Sequence, residues 1–191
     1  SAPDCTEYTG KYTTDIYVPL TNADLVGIKA VTSLFKSESS SFIAKGLNAV
    51  SDSFGNVLRD IADGYAIQAS EYTADTVRPQ IISYTITSAR ILVLYFDEPM
   101  AASAVRTSDI QFQSSLPPYV NSYFISASTY YTDDADKMIV QISLGSEFAR
   151  ISGDSSIFSS QASTFMAIAD SAIADTSGNL LVGIAEAVAK P

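Results

Sequence analysis

The sequence contains no histidine and no tryptophan, and it contains a single cysteine. Without histidine the chain cannot build a Ser-His-Asp triad, a Cys-His pair or a metal site with imidazole ligands. Glycine-rich phosphate-binding loops are absent as well. Cys5 cannot form an internal disulfide, so it either pairs with a residue outside this sequence or is a free thiol. These absences argue against an enzyme and predict a non-catalytic role.

Basic residues are also scarce, with 11 Lys and Arg against 21 Asp and Glu, for a formal net charge of −10. Such a surface repels nucleic acid and anionic membranes but tolerates calcium, cationic partners and saline surroundings. No run of about 18 apolar residues is present, so no membrane span is expected. No signal peptide is visible at Ser1, and we expect processing or a longer parent chain. We expect an extracellular or cell-surface location, with O-linked sugars left open.

The most informative feature that is present is a repeated turn. Residues 52–56 read Asp-Ser-Phe-Gly-Asn, and residues 175–179 read Asp-Thr-Ser-Gly-Asn. Their surroundings match without a gap at a spacing of about 123 residues, with about a third of the positions identical. Matched pairs are Ile28 and Ile151, Phe35 and Phe158, Phe42 and Phe165, Leu58 and Leu181, and Ile61 and Ile184. One insertion near Leu144 extends the match back to Ile16 and Met138, which predicts a repeat of domain size.

The repeat divides the chain into four parts. Residues 1–14 form an N-terminal arm, residues 15–70 a partial repeat, residues 71–79 a linker and residues 80–191 a complete repeat. Pro79 removes an amide donor and biases Arg78 towards extended geometry, which predicts a short, semi-extended linker.

Hydrophobic alternation and turn residues predict short strands throughout. The expected strands are 15–20, 42–50, 57–69, 80–86, 90–96, 109–114, 122–128, 137–144, 164–173 and 180–188. Thr21 and Asp24 have capping-box spacing, which predicts a helix over 22–30, and its counterpart covers 146–151. The pattern predicts an all-β protein of tandem immunoglobulin-like Greek-key β-sandwiches, with a short helix before the last hairpin.

The first unit is incomplete, because only about 75 residues precede the boundary and the opening strands have no counterpart. Those strands lie either in a removed part of the chain or in another chain that supplies them by strand addition. An incomplete sandwich exposes its edges and its core, so something must cover it.

Two interpretations of the repeated turn stay open. The structural one is that Gly55 and Gly178 supply left-handed backbone angles, while Asn56 and Asn179 complete the hairpin. The leading Asp52 then caps free amides, as does its counterpart in the second turn. The alternative is a calcium site at the junction between the units, where carboxylate oxygens suit a hard cation. Its candidate ligands are Asp75, Asp97, Glu98 and Asp175.

Other polar clusters carry less information. The neighbouring acids Asp97-Glu98 and Asp133-Asp134 point to opposite faces if they lie on strands, so they read as turn and surface charge rather than as a glycosidase pair. Four tyrosines cluster in the second unit, where they either stack on sugars and build interfaces or pack across strands. They are Tyr119, Tyr123, Tyr130 and Tyr131.

Three features together resemble a known family: the boundary Asp75-Thr76-x-x-Pro79, the segment 92–100 with its Phe-Asp-Glu-Pro, and the Asp-x-x-Gly-Asn turns. The chain resembles the immunoglobulin-like repeats of bacterial surface-layer and adhesin proteins. Residues 20–29 are similar to giant tandem-repeat surface proteins of flagellated algae, including the shaft proteins of mastigonemes, the hairs of some flagella. The second unit departs from this pattern with Gly-Ser-Glu-Phe at 145–148. The resemblance implies no catalytic residues and no required cofactor.

We therefore expect an extracellular structural repeat protein that forms a filament, a flagellar hair or a surface layer through end-to-end packed units. Its partners are other repeats or other copies of the same protein. The alternative is an adhesin module that binds glycan or a partner surface, in a calcium-dependent way.

Overall fold

Antiparallel strands dominate the computed structural model, which describes residues 15–101, 105–126, 129–132, 137–153 and 157–191. Two helices lie among them, α1 at Asn22–Ala30 and α2 at Gly145–Gly153. The strands are β1 Phe42–Ile43, β2 Ile67–Gln68, β3 Ile81–Ile86, β4 Ile91–Phe96, β5 Ile110–Gln113, β6 Ser122–Phe124, β7 Thr129–Thr132, β8 Ile139–Ser143 and β9 Phe165–Ile168. The expected β-rich fold with short helices is thus confirmed.

The strands form three antiparallel sheets. One has four strands in the order β3-β4-β8-β7, and another has three in the order β6-β5-β9. The third is the two-stranded pair of β1 and β2. The chain after residue 180 returns along β9, where isolated bridges join Ile168 to Ile184 and Met166 to Lys190. The last element is therefore a broken strand, interrupted by a 3₁₀ turn at Glu186–Val188.

The two larger sheets share one hydrophobic core. The four-stranded sheet contributes Leu92, Leu94, Phe96, Val140 and Ile142, and the three-stranded sheet contributes Ile110, Phe112, Met166 and Ile168. Apolar side chains of α2 and of the final return segment complete it, among them Ile151, Leu181 and Ile184. All of these residues lie between positions 80 and 191, so the core belongs to the C-terminal segment.

Both helices form where the sequence predicted them. Thr21 caps α1, because its side-chain oxygen accepts from Asp24 N at 3.2 Å while the Asp24 carboxylate accepts from Thr21 N at 3.2 Å. In α2, Arg150 Nη2 contacts the Glu147 carboxylate at 2.6 Å and Phe124 O at 2.9 Å. Ser126 also donates to Glu147, and these hydrogen bonds, led by that from Arg150, lower the pKa of Glu147 to about 2. They tie the helix to the end of β6.

Several expected strands differ in the structure. Residues 15–20 were expected to be a strand but form none, because no partner strand lies beside them among the described residues. The stretches 42–50 and 57–69 keep only β1, β2 and isolated bridges such as Lys45 to Ile61. The strand β7 was not predicted at all.

The arm 1–14 with Cys5 and the acidic stretch 133–136 lie outside the described residues. Within the described parts, no helix is both long and apolar enough to cross a membrane.

Candidate functional site: a joint between the two segments

The two Gly-Asn turns have the same hydrogen-bond geometry. Asp52 N donates to Asn56 O at 2.9 Å, and Asp175 N donates to Asn179 O at 2.9 Å. In each turn the aspartate Oδ1 accepts two backbone amides and its Oδ2 accepts the asparagine Nδ2 at 2.9 Å. Gly55 and Gly178 have φ angles of 84° and 93°, in the left-handed region that glycine adopts without steric cost. At both places the glycine thus has left-handed backbone angles and the aspartate caps free amides.

The similarity extends beyond the turns. The pairing of Ile43 with Ile67 recurs as the bridge between Met166 and Lys190, and that of Lys45 with Ile61 recurs between Ile168 and Ile184. Helix α2 matches α1 in length, and a serine-rich 3₁₀ turn follows each helix, at Glu38–Ser40 and at Gln161–Ser163. Phe35 and Phe158 share a positive φ, of 53° and 66°. The two segments thus have the same local backbone structure.

Their burial is very different. Ile43 exposes 63% of its surface, whereas its counterpart Met166 exposes none. Leu58 exposes 53%, whereas its counterpart Leu181 exposes none. The hairpin of the C-terminal segment is covered by that segment's own strands, and the hairpin of the N-terminal segment lies open.

Three of the four predicted calcium ligands meet at the junction between the segments. Carboxylate oxygens of Asp75, Glu98 and Asp175 lie within 4.8 Å of one another. Asp97 does not join them, because it is exposed and its Oδ1 accepts from Gln80 N at 2.7 Å. Successive residues of an extended chain point to opposite sides, and only Glu98 turns inward.

A lysine from the N-terminal segment enters this acidic cluster. Lys29 Nζ lies 2.7 Å from Asp75 Oδ2 and 2.6 Å from Glu98 Oε2. The side chains are mostly buried, with 21% of Lys29 and 9% of Glu98 exposed. Next to them, Thr176 Oγ1 donates to Lys29 O at 2.8 Å. The end of α1 therefore docks on the second Gly-Asn turn, and this contact between the segments is called the lysine joint below.

The electrostatics of the lysine joint follow from its burial. Burial alone would lower the pKa of Lys29, but its hydrogen bonds to Asp75 and Glu98 outweigh that effect and raise the pKa. Burial raises the pKa of Glu98, and the charges of Asp75 and Asp175 raise it further. Lys29 lowers it, but the net effect is a raised pKa. The pKa of Asp75 is lowered, because the hydrogen bonds it accepts from Lys29 and Val77 outweigh its burial. The ammonium of Lys29 therefore supplies the positive charge that this cluster requires.

A calcium ion fits the cluster only in competition with this lysine. Ca²⁺ takes six to eight oxygen ligands, and carboxylates of Asp75, Glu98 and Asp175 are the acidic donors near one another among the described residues. Two of these three carboxylates already contact Lys29 Nζ. Binding of the ion would require displacement of the ammonium.

The second half of the linker is fastened to the C-terminal segment. Asn179 Nδ2 donates to Asp75 O at 3.1 Å, and Val182 N donates to Pro79 O at 2.9 Å. Arg78 donates to Leu180 O and Leu181 O and pairs with Asp170 at 2.7 Å. Pro79 accepts but has no amide to donate, so it fits an edge position beside the last return segment. These contacts hold residues 75–79 against the turn and the return segment.

Two contacts of the joint were not predicted from the sequence. Lys29 was noted as part of a helix, but its carboxylate partners lie in distant parts of the chain. Tyr72 OH donates to Phe35 O at 2.8 Å and so fastens the linker to the N-terminal segment. One indication of this contact was present in the sequence. The last turn of α1 has a basic residue, Lys29, where the matched position of the other segment, 152, has a serine.

Two of the four clustered tyrosines have described side chains. Tyr119 OH donates to Glu186 at 2.8 Å, and the ring of Tyr123 lies under Arg150, whose guanidinium carbon is 5.4 Å from the ring centroid. Both rings thus have partners within the C-terminal segment. The side chains of Tyr130 and Tyr131 lie outside the described residues.

Comparison with models of protein families, with curated proteins and with solved structures finds no significant match.

Proposed function

We propose that the chain is a non-catalytic structural element of an extracellular filament, flagellar hair (mastigoneme) or surface layer, built from immunoglobulin-like units packed end to end. The strand order supports the fold. In the constant-type immunoglobulin arrangement the first, second, fifth and fourth strands form one sheet, and the third, sixth and seventh form the other. The order β3-β4-β8-β7 and the neighbours β5, β9 and the return segment correspond to it, with β6 at the edge of the second sheet.

The tandem arrangement is supported by the matched hydrogen bonds at the two turns. In this proposal residues 80–191 form a complete unit and residues 15–70 form the end of the preceding one. The short linker is held in place, because Asp75 is bonded to the second Gly-Asn turn, and Arg78 and Pro79 are bonded to the chain that follows it.

The observation that carries the proposal is the lysine joint. Flexible tandem domains usually have few contacts across their linkers, whereas here a mostly buried ammonium from one segment is paired with two carboxylates of the linker and the next segment. Two further hydrogen bonds hold the N-terminal segment, from Thr176 to Lys29 O and from Tyr72 to Phe35 O. A joint of this kind fixes the angle between successive units, which is what a shaft or a lattice requires.

An adhesin module that binds glycan or a partner surface with calcium is the second candidate. The observation that favours it is the convergence of Asp75, Glu98 and Asp175. In that case calcium would displace Lys29 and stiffen the junction in its place.

Immunogold labelling of intact source cells with antibodies against the purified chain tests the proposed function. We expect gold particles at regular intervals along a filament or hair, or throughout a surface layer. Labelling confined to filament tips, or a cell surface without labelling, would contradict the proposal. A glycan array probed with the same chain, with and without Ca²⁺, provides the comparison, because calcium-dependent glycan binding would favour the adhesin.

A further inference from the structure

The hairpin of the N-terminal segment presents an apolar surface that its counterpart keeps in the core. We call this the open face and define it by Ile43 and Leu58, which are exposed, and by Val50 and Ile61, which are half-buried. The matched residues Met166, Ile173, Leu181 and Ile184 all belong to the hydrophobic core of the C-terminal segment. The open face is therefore half of a core whose other half is absent from residues 15–70.

The C-terminal segment shows what covers such a face. Its hairpin packs against Leu92, Leu94 and Phe96 of β4 and against Ile110 and Phe112 of β5. The backbone is paired as well, since β9 pairs with β5, while β1 pairs with β2 alone among the described strands. Strands equivalent to β3 to β6 thus supply both the apolar surface that covers a hairpin of this kind and the strand edge with which it pairs.

Residues 15–21 give a second, independent indication. The repeat matches Ile16 with Met138, which places this stretch at the position of β8, and β8 lies between β4 and β7. Here the stretch forms no strand, and the large apolar side chains of Ile16, Tyr17, Val18 and Leu20 are all exposed. It has the composition of a central strand, yet no strand pairs with it on either side within the described part of the chain.

We propose that the open face binds a polypeptide segment of the same repeat, with strands like those of residues 80–137. The occupant fills the place that β3 to β7 hold in the complete unit. A second copy of this chain is a poor source, because its own β3 to β8 already cover its own hairpin and their transfer would expose an equal surface. The inference rests on the proposed repeat architecture and names the partner that completes the first unit.

Grafting the missing strands onto the chain tests this inference. Residues 1–15 are replaced by a second copy of residues 80–137, so that the graft joins Ile16 in the register given by the repeat. This replacement also removes Cys5, the only cysteine. An Ile43→Cys substitution then reports on the open face through its rate of maleimide labelling. The reference is the ungrafted chain that carries Cys5→Ser and the same Ile43→Cys probe. We expect the graft to slow labelling by about tenfold or more, because a covered thiol reacts only after local opening.

Two controls keep the result specific. A Phe54→Cys probe, at a turn position that is 90% exposed, should be labelled at the same rate with and without the graft. A graft whose own copy carries Leu92→Ser, Leu94→Ser and Phe96→Ser should give no protection at Ile43→Cys, because its core-facing side chains are polar. Equal labelling with the intact and the defective graft would overturn the inference, and so would concentration-dependent protection of the ungrafted chain, since a second copy would then be the occupant. Neither outcome depends on the lysine joint, so failure here leaves the proposed function to its own test.

Discussion

Replacing Lys29 by methionine should lower the free energy of unfolding by about 2–3 kcal/mol, because the change leaves buried carboxylates without their counter-charge. Glu98 bears most of this cost, since its side chain is only 9% exposed and it already lies beside Asp75 and Asp175. Methionine keeps much of the length and apolar stem of lysine, so the loss reports on charge rather than on packing. Urea unfolding of the full chain at neutral pH measures the effect.

A double-mutant cycle separates the lysine joint from general damage. Glu98→Gln alone should destabilise the chain, and Lys29→Met with Glu98→Gln together should cost less than the sum of the two, by about 1 kcal/mol or more. Lys36→Met is the matched control, because among the described residues Lys36 Nζ contacts the hydroxyls of Thr176 and Ser177, each at 3.4 Å, and no carboxylate. Its effect should stay within about 0.5 kcal/mol. A Lys29→Met effect as small as that of Lys36→Met would contradict the role given to the joint.

Leu181→Ala should destabilise the protein by about 3 kcal/mol, whereas Leu58→Ala, at the matched position of the repeat, should cost less than about 1 kcal/mol. The two leucines occupy the same place after the same turn, but Leu181 is in the core and Leu58 is half exposed. Truncation of a buried side chain leaves a cavity, while truncation of an exposed one leaves water in contact with a smaller side chain.

The same denaturation experiment with Met166→Ala and Ile43→Ala gives a second matched pair, and the same asymmetry is expected. Equal costs at matched positions would show that the N-terminal hairpin is already covered, which would contradict the description of the first unit as incomplete.

Features held by local contacts could be predicted from the sequence. Thr21 and Asp24 contact each other across one helical turn, and each Gly-Asn turn is closed by its own aspartate. The strands β3 and β4 were also predicted, at 80–86 and 90–96, since each is an alternating run. In each case the partner lies within a few residues, so spacing alone identifies it.

Features that depend on distant partners were missed. The alternating residues 15–20 have strand character, yet alternation provides only one side of a ladder, and the neighbouring strands are not in this part of the chain. The strand β7 forms because β8 offers it an edge, which its own composition does not reveal.

At the joint, carboxylates suggested a calcium ion because their oxygens suit a hard cation, but they also need a counter-charge. The sequence could not show that Lys29, in another segment, would supply it.

The fixed angle between successive units is the central claim, and a distance distribution measures it most directly. Spin labels at Phe54→Cys and Val120→Cys, both at positions that are 90% exposed, report on the two segments in a Cys5→Ser background by double electron–electron resonance. We predict one narrow distance distribution for the otherwise unchanged chain and a clearly broader one when Lys29→Met is added. A distribution that is already broad with Lys29 in place, and that does not change when it is replaced, would contradict the account.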